Sequence, residues 1–186
     1  MELFTVIPYN RANAVEYARK YALTRNARFE DYTGIGGDCT NFVSQAVFAG
    51  VCVMNMTPEY GWYYVSPTDR APAWSSVEFF YDFITGAPAF ADVNGGEGPF
   101  GREVLRRQAE LGDVVQLADD SGDFYHTLII TDIKPDEIFV SAHTNDALDR
   151  PLSSYTFARA RFIRIEGARV IAEYPCFEEL MEMNNE

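Results

Sequence analysis

The stretch HTLIITDIKPDEIFVSAH, residues 126–143, holds two apolar runs on either side of a short polar connection. The runs 126–130 and 138–143 are rich in β-branched residues, which predicts two β-strands. The connection 132–137 is short enough to close a hairpin, so we expect the two strands to pair antiparallel.

The same hairpin carries both histidines of the chain, His126 and His143, one at each outer end. Opposed residues of an antiparallel pair have a constant index sum, and they share a face of the sheet. A sum of 269 sets His126 opposite His143, with Cβ atoms about 5 Å apart, and a sum of 271 sets His126 opposite Asn145 with His143 diagonal to it. Both registers predict the two imidazoles on one face, whereas an even sum would separate them.

Helical patterns dominate the first half of the chain, and strand patterns dominate the second. Asn10 is placed to cap a helix over 11–27, and Asp38 to cap a helix that runs from Cys39 to residue 49 and stops at Gly50. A third helix is predicted over 74–84, before a long loop over 86–101. Further strands are predicted over 114–117, 158–165 and 169–174. Helices followed by strands predict an α+β domain with a mostly antiparallel sheet.

The length fits a single domain over residues 1–186, with its core at about 9–174 and an acidic tail over 177–186 that we expect to fray. Acidic residues outnumber basic ones by 28 to 15, and no basic stripe is present, so nucleic acid and anionic membrane surfaces are excluded as partners. No apolar run is long enough to span a membrane, and the first residues show no export signal. Localisation stays open between the cytoplasm and, had a leader been removed, the cell envelope.

Cys39 is the strongest candidate nucleophile, because it follows the glycine-rich loop 34–38 and opens a predicted helix. Free N–H groups and the positive end of the helix dipole stabilise a thiolate at that position, and the same groups can hold an oxyanion. The neighbouring Asp38 carboxylate would raise the pKa of the thiol, unless capping the helix occupies it.

A cysteine nucleophile also needs a base and a group that orients the base. His126 can act as the base, with His143 or Asn145 as the orienting group. Zinc binding is the rival use of these residues, with Cys39 and Asp146 as further ligands. The chain has no C-x-x-C or H-x-x-x-H pair, so no metal is expected.

The other two cysteines, Cys52 and Cys176, lie at neither a predicted helix start nor a position near a histidine in sequence. We expect both to pack in the interior, and the sequence leaves their pairing undetermined. An odd count of three cysteines leaves at least one free thiol within one molecule.

The block GGDCTNFVSQA, residues 36–46, is long and specific, and related blocks lie at 9–18, 62–64, 75–80, 112–116, 126–131 and 141–146. With these blocks, which extend over roughly residues 9–165, the chain resembles the bacterial putative amidase domain family. That family is similar in layout to the NlpC and CHAP groups of papain-like cysteine hydrolases. The resemblance therefore implies a papain-like domain with N-terminal helices packed on a C-terminal sheet.

Carried over by position, the resemblance implies Cys39 as nucleophile and His126 as general base and then acid. His143 is the favoured orienting group, with Asn145 and Asp146 as alternatives. The implied reaction is amide hydrolysis through a thioester, without a cofactor. The implied substrate is a peptide or another amide, and the peptide part of the bacterial cell wall is one candidate.

Two aromatic or glycine-rich segments are candidate walls of a substrate cleft: the cluster Trp62, Tyr63 and Tyr64, and the loop 86–101. Core packing is the commoner fate of such aromatics. A non-catalytic binding module on the same fold is the alternative function, and a structural metal protein is a less favoured one. The complete set of Cys39, His126 and His143 favours the enzyme.

Overall fold

A computed structural model describes residues 4–182 as helices packed on an antiparallel sheet. The helices are α1 (Arg11–Tyr21), α2 (Cys39–Val51), α3 (Pro72–Ser75), α4 (Val77–Thr85), α5 (Ala91–Asn94) and α6 (Phe177–Glu182). The strands are β1 (Thr5–Pro8), β2 (Tyr64–Ser66), β3 (Asp69–Arg70), β4 (Gly98–Val104), β5 (Val114–Ala118), β6 (Phe124–Lys134), β7 (Glu137–Ala142), β8 (Ala147–Pro151) and β9 (Arg159–Val170).

Seven strands form one sheet in the order β1-β9-β5-β6-β7-β8, with β4 also paired to β9, and every pairing is antiparallel. Strands β2 and β3 form a separate ribbon. The predicted α+β class with a mostly antiparallel sheet is confirmed.

The main core lies between the helices and one face of the sheet. It is built from large buried rings, chiefly Trp62, Trp74, Tyr17, Tyr21, Phe42, Phe80 and Phe83. The other face carries a smaller aliphatic core that includes Val115, Leu117, Leu128, Ile130 and Val140. Apolar side chains thus cover both faces of β6, which explains why its sequence is a near-continuous apolar run.

The predicted starts of α1 and α2 are confirmed, but both predicted ends are wrong. Asn10 caps α1 by accepting from the Asn13 N–H at 3.0 Å. Helix α1 ends at Tyr21, whose carbonyl accepts hydrogen bonds from the Thr24 N–H at 3.3 Å and from a histidine ring in the turn after β7. Gly50 lies inside α2 rather than after it, and a methyl group there would lie 2.3 Å from the Tyr9 ring. Close packing, not helix termination, requires this glycine.

The segment predicted as one helix over 74–84 forms two helices, because Ser76 adopts an extended conformation between α3 and α4. The predicted loop 86–101 contains α5 and the beginning of β4. The strand predicted over 158–165 continues to Val170 as one long strand, β9, which pairs with β1, β4 and β5. The strand predicted over 169–174 is wrong beyond Val170, because residues 171–174 form no strand.

The β6–β7 hairpin is confirmed, but its register changes along its length. Near the turn Ile133 faces Ile138, which gives the index sum of 271. Beyond the turn the pairing shifts by one residue at Thr131, so that Ile129 faces Ser141 with a sum of 270. A β-bulge inserts one unpaired residue, so that each side chain beyond it points to the opposite face of the sheet from the one that an unbroken register predicts. The expectation that His126 and His143 share a face is therefore wrong.

The C-terminal segment is fixed to the core rather than frayed over residues 177–182. A disulfide joins Cys176, just before α6, to Cys52 at the end of α2, so these two cysteines are paired rather than free packing residues. The Leu180 carbonyl of α6 accepts from the Tyr21 hydroxyl at 2.8 Å. The last part of the predicted fraying tail, residues 183–186, lies outside the described residues.

Candidate active site

A cleft of about 600 Å³ opens beside the first turn of α2, and Cys39 and His126 both line it. Its walls also include Gly36, Gly37, the segment 75–78, Phe124, Tyr125, Thr144, Asn145, Arg150 and Tyr155. Gly37 has a φ of +100°, a backbone conformation that favours glycine, and this bend brings the chain into the helix at Cys39. The glycine loop and the helix start therefore position the thiol at the cleft.

Cys39 is the first residue of α2 and the free cysteine of the described chain. Burial raises the pKa of its thiol, and this effect is opposed by N–H groups of Thr127 and Thr40 and by the Thr40 hydroxyl. Its Sγ lies 3.9 Å from Thr40 Oγ1. At neutral pH the resting group is therefore a neutral thiol, surrounded by donors that favour a thiolate once one forms.

His126 lies on β6 and is also largely buried. Burial, and secondly the positive charge of Arg150, lower its pKa to about 4. Its ring centroid is 6.1 Å from that of Tyr155 and 6.2 Å from that of Tyr125. Within residues 4–182 the buried Tyr155 hydroxyl has no hydrogen-bond partner. His126 is thus a neutral imidazole at neutral pH.

His143 lies in the core and not in the cleft, on the opposite face of the sheet from His126. Its Nδ1 is 2.6 Å from Asp38 Oδ2, and its Nε2 is 2.8 Å from the Tyr21 carbonyl. Its ring stacks on Phe42 at a centroid distance of 4.0 Å. Because a carbonyl oxygen only accepts, the Nε2 atom carries a hydrogen. Both nitrogens are occupied in the core, so His143 is not positioned to orient His126.

Asp38 has a different role from the helix cap that the sequence predicts. Its side chain makes no capping bond to α2. One carboxylate oxygen accepts from the Tyr32 N–H at 3.1 Å and from Asn41 Nδ2 at 2.6 Å, while the other faces His143. The Asp38 N–H donates to Thr144 Oγ1 at 2.7 Å. Asp38, the residue before Cys39, is therefore hydrogen-bonded to the turn after β7. The first N–H groups of α2 have no side-chain cap.

The two alternative orienting residues lie in different places. Asn145 lines the cleft, in the left-handed conformation with a φ of +68°. Asp146 instead accepts two hydrogen bonds from Arg25, both of 2.9 Å, outside the cleft lining. Of these two candidates, only Asn145 borders the same space as His126.

None of the three aromatic residues proposed as cleft walls lines the cleft. Trp62 is fully buried and donates to Ser44 Oγ at 3.1 Å, and Tyr64 is buried beside Trp74. Tyr63 is half-buried. The loop 86–101 is also absent from the walls.

Sequence reasoning missed Arg150 and Tyr155, which belong to β8 and the segment after it. Asn145 and Asp146 form part of a turn, in which Thr144 and Asn145 are both left-handed. A turn directly after a strand is the signal that predicts a returning strand over 147–151. That strand would have brought Arg150 to the histidine strands.

Within residues 4–182, no three histidine, cysteine, aspartate or glutamate side chains are grouped so that they could hold a metal ion. In the same part of the chain, every helix is too short or too polar to cross a membrane.

Comparison with known proteins gives one family. The family described as "Putative amidase domain" matches residues 8–165. Among curated proteins, the uncharacterized protein YjcM of Bacillus subtilis (strain 168) is 32% identical over an alignment of 151 residues, which covers 77% of this chain and 32% of YjcM. This chain thus spans about a third of the length of that relative. No solved structure gives a significant match.

Proposed function

Because this chain belongs to the putative amidase domain family, we propose that it hydrolyses amide bonds with Cys39 as nucleophile and His126 as general base. The observation that carries the proposal is the shared cleft: the free thiol at the start of α2 and the imidazole of β6 border the same space. The papain-like layout belongs to this proposal as well, since it combines a cysteine at a helix start with a histidine on a later strand.

The proposed reaction begins when His126 takes the proton from Cys39 Sγ. The thiolate attacks the amide carbonyl carbon, forming a C–S bond and a tetrahedral oxyanion that the uncapped N–H groups of α2 can hold. The oxyanion collapses, the C–N bond breaks, and the imidazolium gives its proton to the leaving amine. Water, deprotonated by His126, then attacks the thioester, which releases the carboxylic acid and restores the thiol.

The resting state is a neutral pair, because burial raises the pKa of the Cys39 thiol and lowers that of His126 to about 4. Proton transfer is therefore unfavourable in the free protein. Substrate must supply part of the driving force by bringing its carbonyl to the thiol, so that charge forms only as the C–S bond forms. This predicts low reactivity toward water and toward solutes that do not fill the cleft.

The group that orients His126 is part of the proposal. Tyr155 is the candidate favoured by packing, because its ring centroid lies 6.1 Å from that of His126 and its buried hydroxyl has no hydrogen-bond partner among the described residues. Asn145 is the second candidate, since it borders the same cleft. His143 is proposed instead as a positioning residue that holds Asp38 next to the nucleophile.

The substrate is proposed to be a peptide or another amide, with bacterial cell-wall peptides as one candidate carried by the family resemblance. The chief alternative function is a non-catalytic module that binds such a peptide. The two differ in whether Cys39 becomes acylated.

Acylation is tested with p-nitrophenyl acetate, followed by intact mass and by release of nitrophenolate, and hydrolysis with a panel of N-acyl amino-acid amides. We expect a transient acetyl group on Cys39, loss of turnover of at least about 10³-fold in Cys39→Ser, and of about 10²-fold or more in His126→Gln. The double variant Cys52→Ser/Cys176→Ser is the matched control, because it replaces the two cysteines that lie away from the cleft and leaves Cys39 in place. Turnover that survives Cys39→Ala, or is lost with chelator, would overturn the mechanism.

A further inference from the structure

Arg150 makes three contacts at the edge of the cleft. Its Nε donates to Ser154 Oγ at 2.8 Å, and its Nη2 donates to the Ser154 carbonyl at 3.1 Å. Its guanidinium carbon lies 4.0 Å from the centre of the Tyr155 ring. The Nη1 atom has no hydrogen-bond partner within residues 4–182. One edge of a fixed guanidinium is thus left for another group.

The charge of Arg150 is not balanced by a carboxylate, although acidic residues outnumber basic ones by 28 to 15. Within the described chain, no acidic side chain lies within ion-pair distance of Arg150, which is the only cationic residue in the cleft lining. The acidic wall residue, Glu78, is paired with Arg161 at 3.1 Å. The first turn of α2 adds further positive potential. Arg150 is therefore the charged residue of the cleft lining that no opposite charge of the described chain pairs.

A purely structural role would account for the contacts of Arg150 with Ser154 and Tyr155, but not for an unpaired cation among the residues that line the cleft. An arginine held in one orientation binds planar anions well, because its N–H groups match the two oxygens of a carboxylate.

We propose that Arg150 binds a carboxylate of the substrate, so that the preferred substrates are amides carrying a carboxylate close to the scissile bond. This inference rests on the proposed function, because it names the substrate class of the same cleft. It also fits the acidic protein, since a local positive site selects small anions while the overall charge repels large polyanions.

Binding of a carboxylate would also act on His126. The charge of Arg150 opposes protonation of the imidazole, and an anion on the guanidinium would cancel part of that opposition. The step in which His126 takes the thiol proton would then become easier when the correct substrate is in place.

The test compares maleimides that differ only in their tail. N-(carboxymethyl)-, N-(2-carboxyethyl)- and N-(3-carboxypropyl)maleimide are each paired with the corresponding primary amide, and the rate of Cys39 labelling is measured at pH 8. We expect the acid-to-amide rate ratio of at least one pair to fall about tenfold in Arg150→Gln. Glutamine keeps a donor toward Ser154, and the tail length with the largest effect reports how far the carboxylate site lies from Sγ.

Arg102→Gln is the matched control, because it removes the same charge from an exposed arginine of β4 that pairs with Glu166 outside the cleft. Its acid-to-amide ratio should equal that of the unaltered protein. A ratio that is unchanged in Arg150→Gln, or that falls equally in Arg102→Gln, would overturn the carboxylate site and leave the role of Cys39 intact.

A second measurement does not depend on the thiol. In Cys39→Ala, amide resonances of residues 144–155 are followed by NMR during titration with N-acetylglycine and with N-acetylglycinamide. Shifts that require the acid and disappear in Cys39→Ala/Arg150→Gln support the site even if Cys39 were unreactive toward every maleimide. Equal responses to acid and amide contradict it.

Discussion

The Nδ1 atom of His143 lies 2.6 Å from Oδ2 of Asp38, the residue directly before Cys39. A buried imidazole in the turn after β7 thereby holds the glycine loop at the start of α2. We expect replacement of His143 to alter the position of Cys39 without removing any group from the cleft.

His143→Ala should lower the free energy of unfolding by about 2–3 kcal/mol, because it removes a 2.6 Å hydrogen bond to the buried Asp38 carboxylate, which keeps its bonds to Asn41 and Tyr32 and an ion pair with Arg25. Urea denaturation measures this loss. His143→Asn retains a donor near the Nδ1 position and should recover part of it. Asp146→Asn is the control, since that partly exposed ion pair with Arg25 should contribute about 1 kcal/mol or less. Equal losses in His143→Ala and Asp146→Asn would contradict the buried role.

His126 should make the protein less stable in acid. Its pKa is about 4 in the folded chain, while an unfolded histidine has a pKa near 6.5, so between these values only the unfolded chain takes up the proton. The free energy of unfolding should therefore fall by about 3 kcal/mol as the pH drops from about 7 to below 4. His126→Asn lacks this term, so its loss over the same range should be smaller by that amount. Equal losses in the two proteins would show that His126 titrates normally.

Alkylation of Cys39 by iodoacetamide should follow a raised thiol pKa, with the rate still rising above pH 9. Burial causes this shift by disfavouring the thiolate. Peptide mapping identifies the labelled cysteine, and Cys39→Ser gives the background. A rate that is already constant between about pH 5 and 7 would reveal a thiolate–imidazolium pair in the resting protein, contrary to the neutral pair described above.

Reduction of the Cys52–Cys176 disulfide should destabilise the fold by about 2–4 kcal/mol, because the bond closes a loop between residues 124 positions apart. Thermal unfolding with and without a phosphine reductant measures the effect. Cys176→Ser should unfold at the temperature of the reduced protein, with no further change on reduction, whereas Cys39→Ser should keep the full response. An unchanged melting temperature after complete reduction would count against this bond as a stabilising link.

Local chemistry made the hairpin, the helix start at Cys39 and the Asn10 cap predictable, because each depends on residues a few positions apart. The bulge at Thr131 was not predictable in the same way. The residue fits a regular strand, and its unpaired position arises from how the whole sheet twists and packs. That single insertion separates the two histidines, which periodicity alone brings together.

The partner of Asp38 was also beyond sequence reasoning. An aspartate before a helix can either cap the helix or form an ion pair in the core. For Asp38 the outcome depends on His143, which is 105 positions away. Gly50 illustrates the same limit, since its close contact with Tyr9 gives no local signal and the glycine was read as a helix stop.

Tyr21 makes two hydrogen bonds to distant parts of the chain. Its hydroxyl donates to the Leu180 carbonyl, and its own carbonyl accepts from His143 Nε2. The matched family region ends at residue 165, well before Leu180. A chain shortened to that boundary would leave the buried Tyr21 hydroxyl without its acceptor. The same residue contacts His143, which holds the loop before Cys39. The limit of sequence similarity and the limit of the folding unit therefore differ, and relatives that lack an equivalent of α6 need another acceptor at this point.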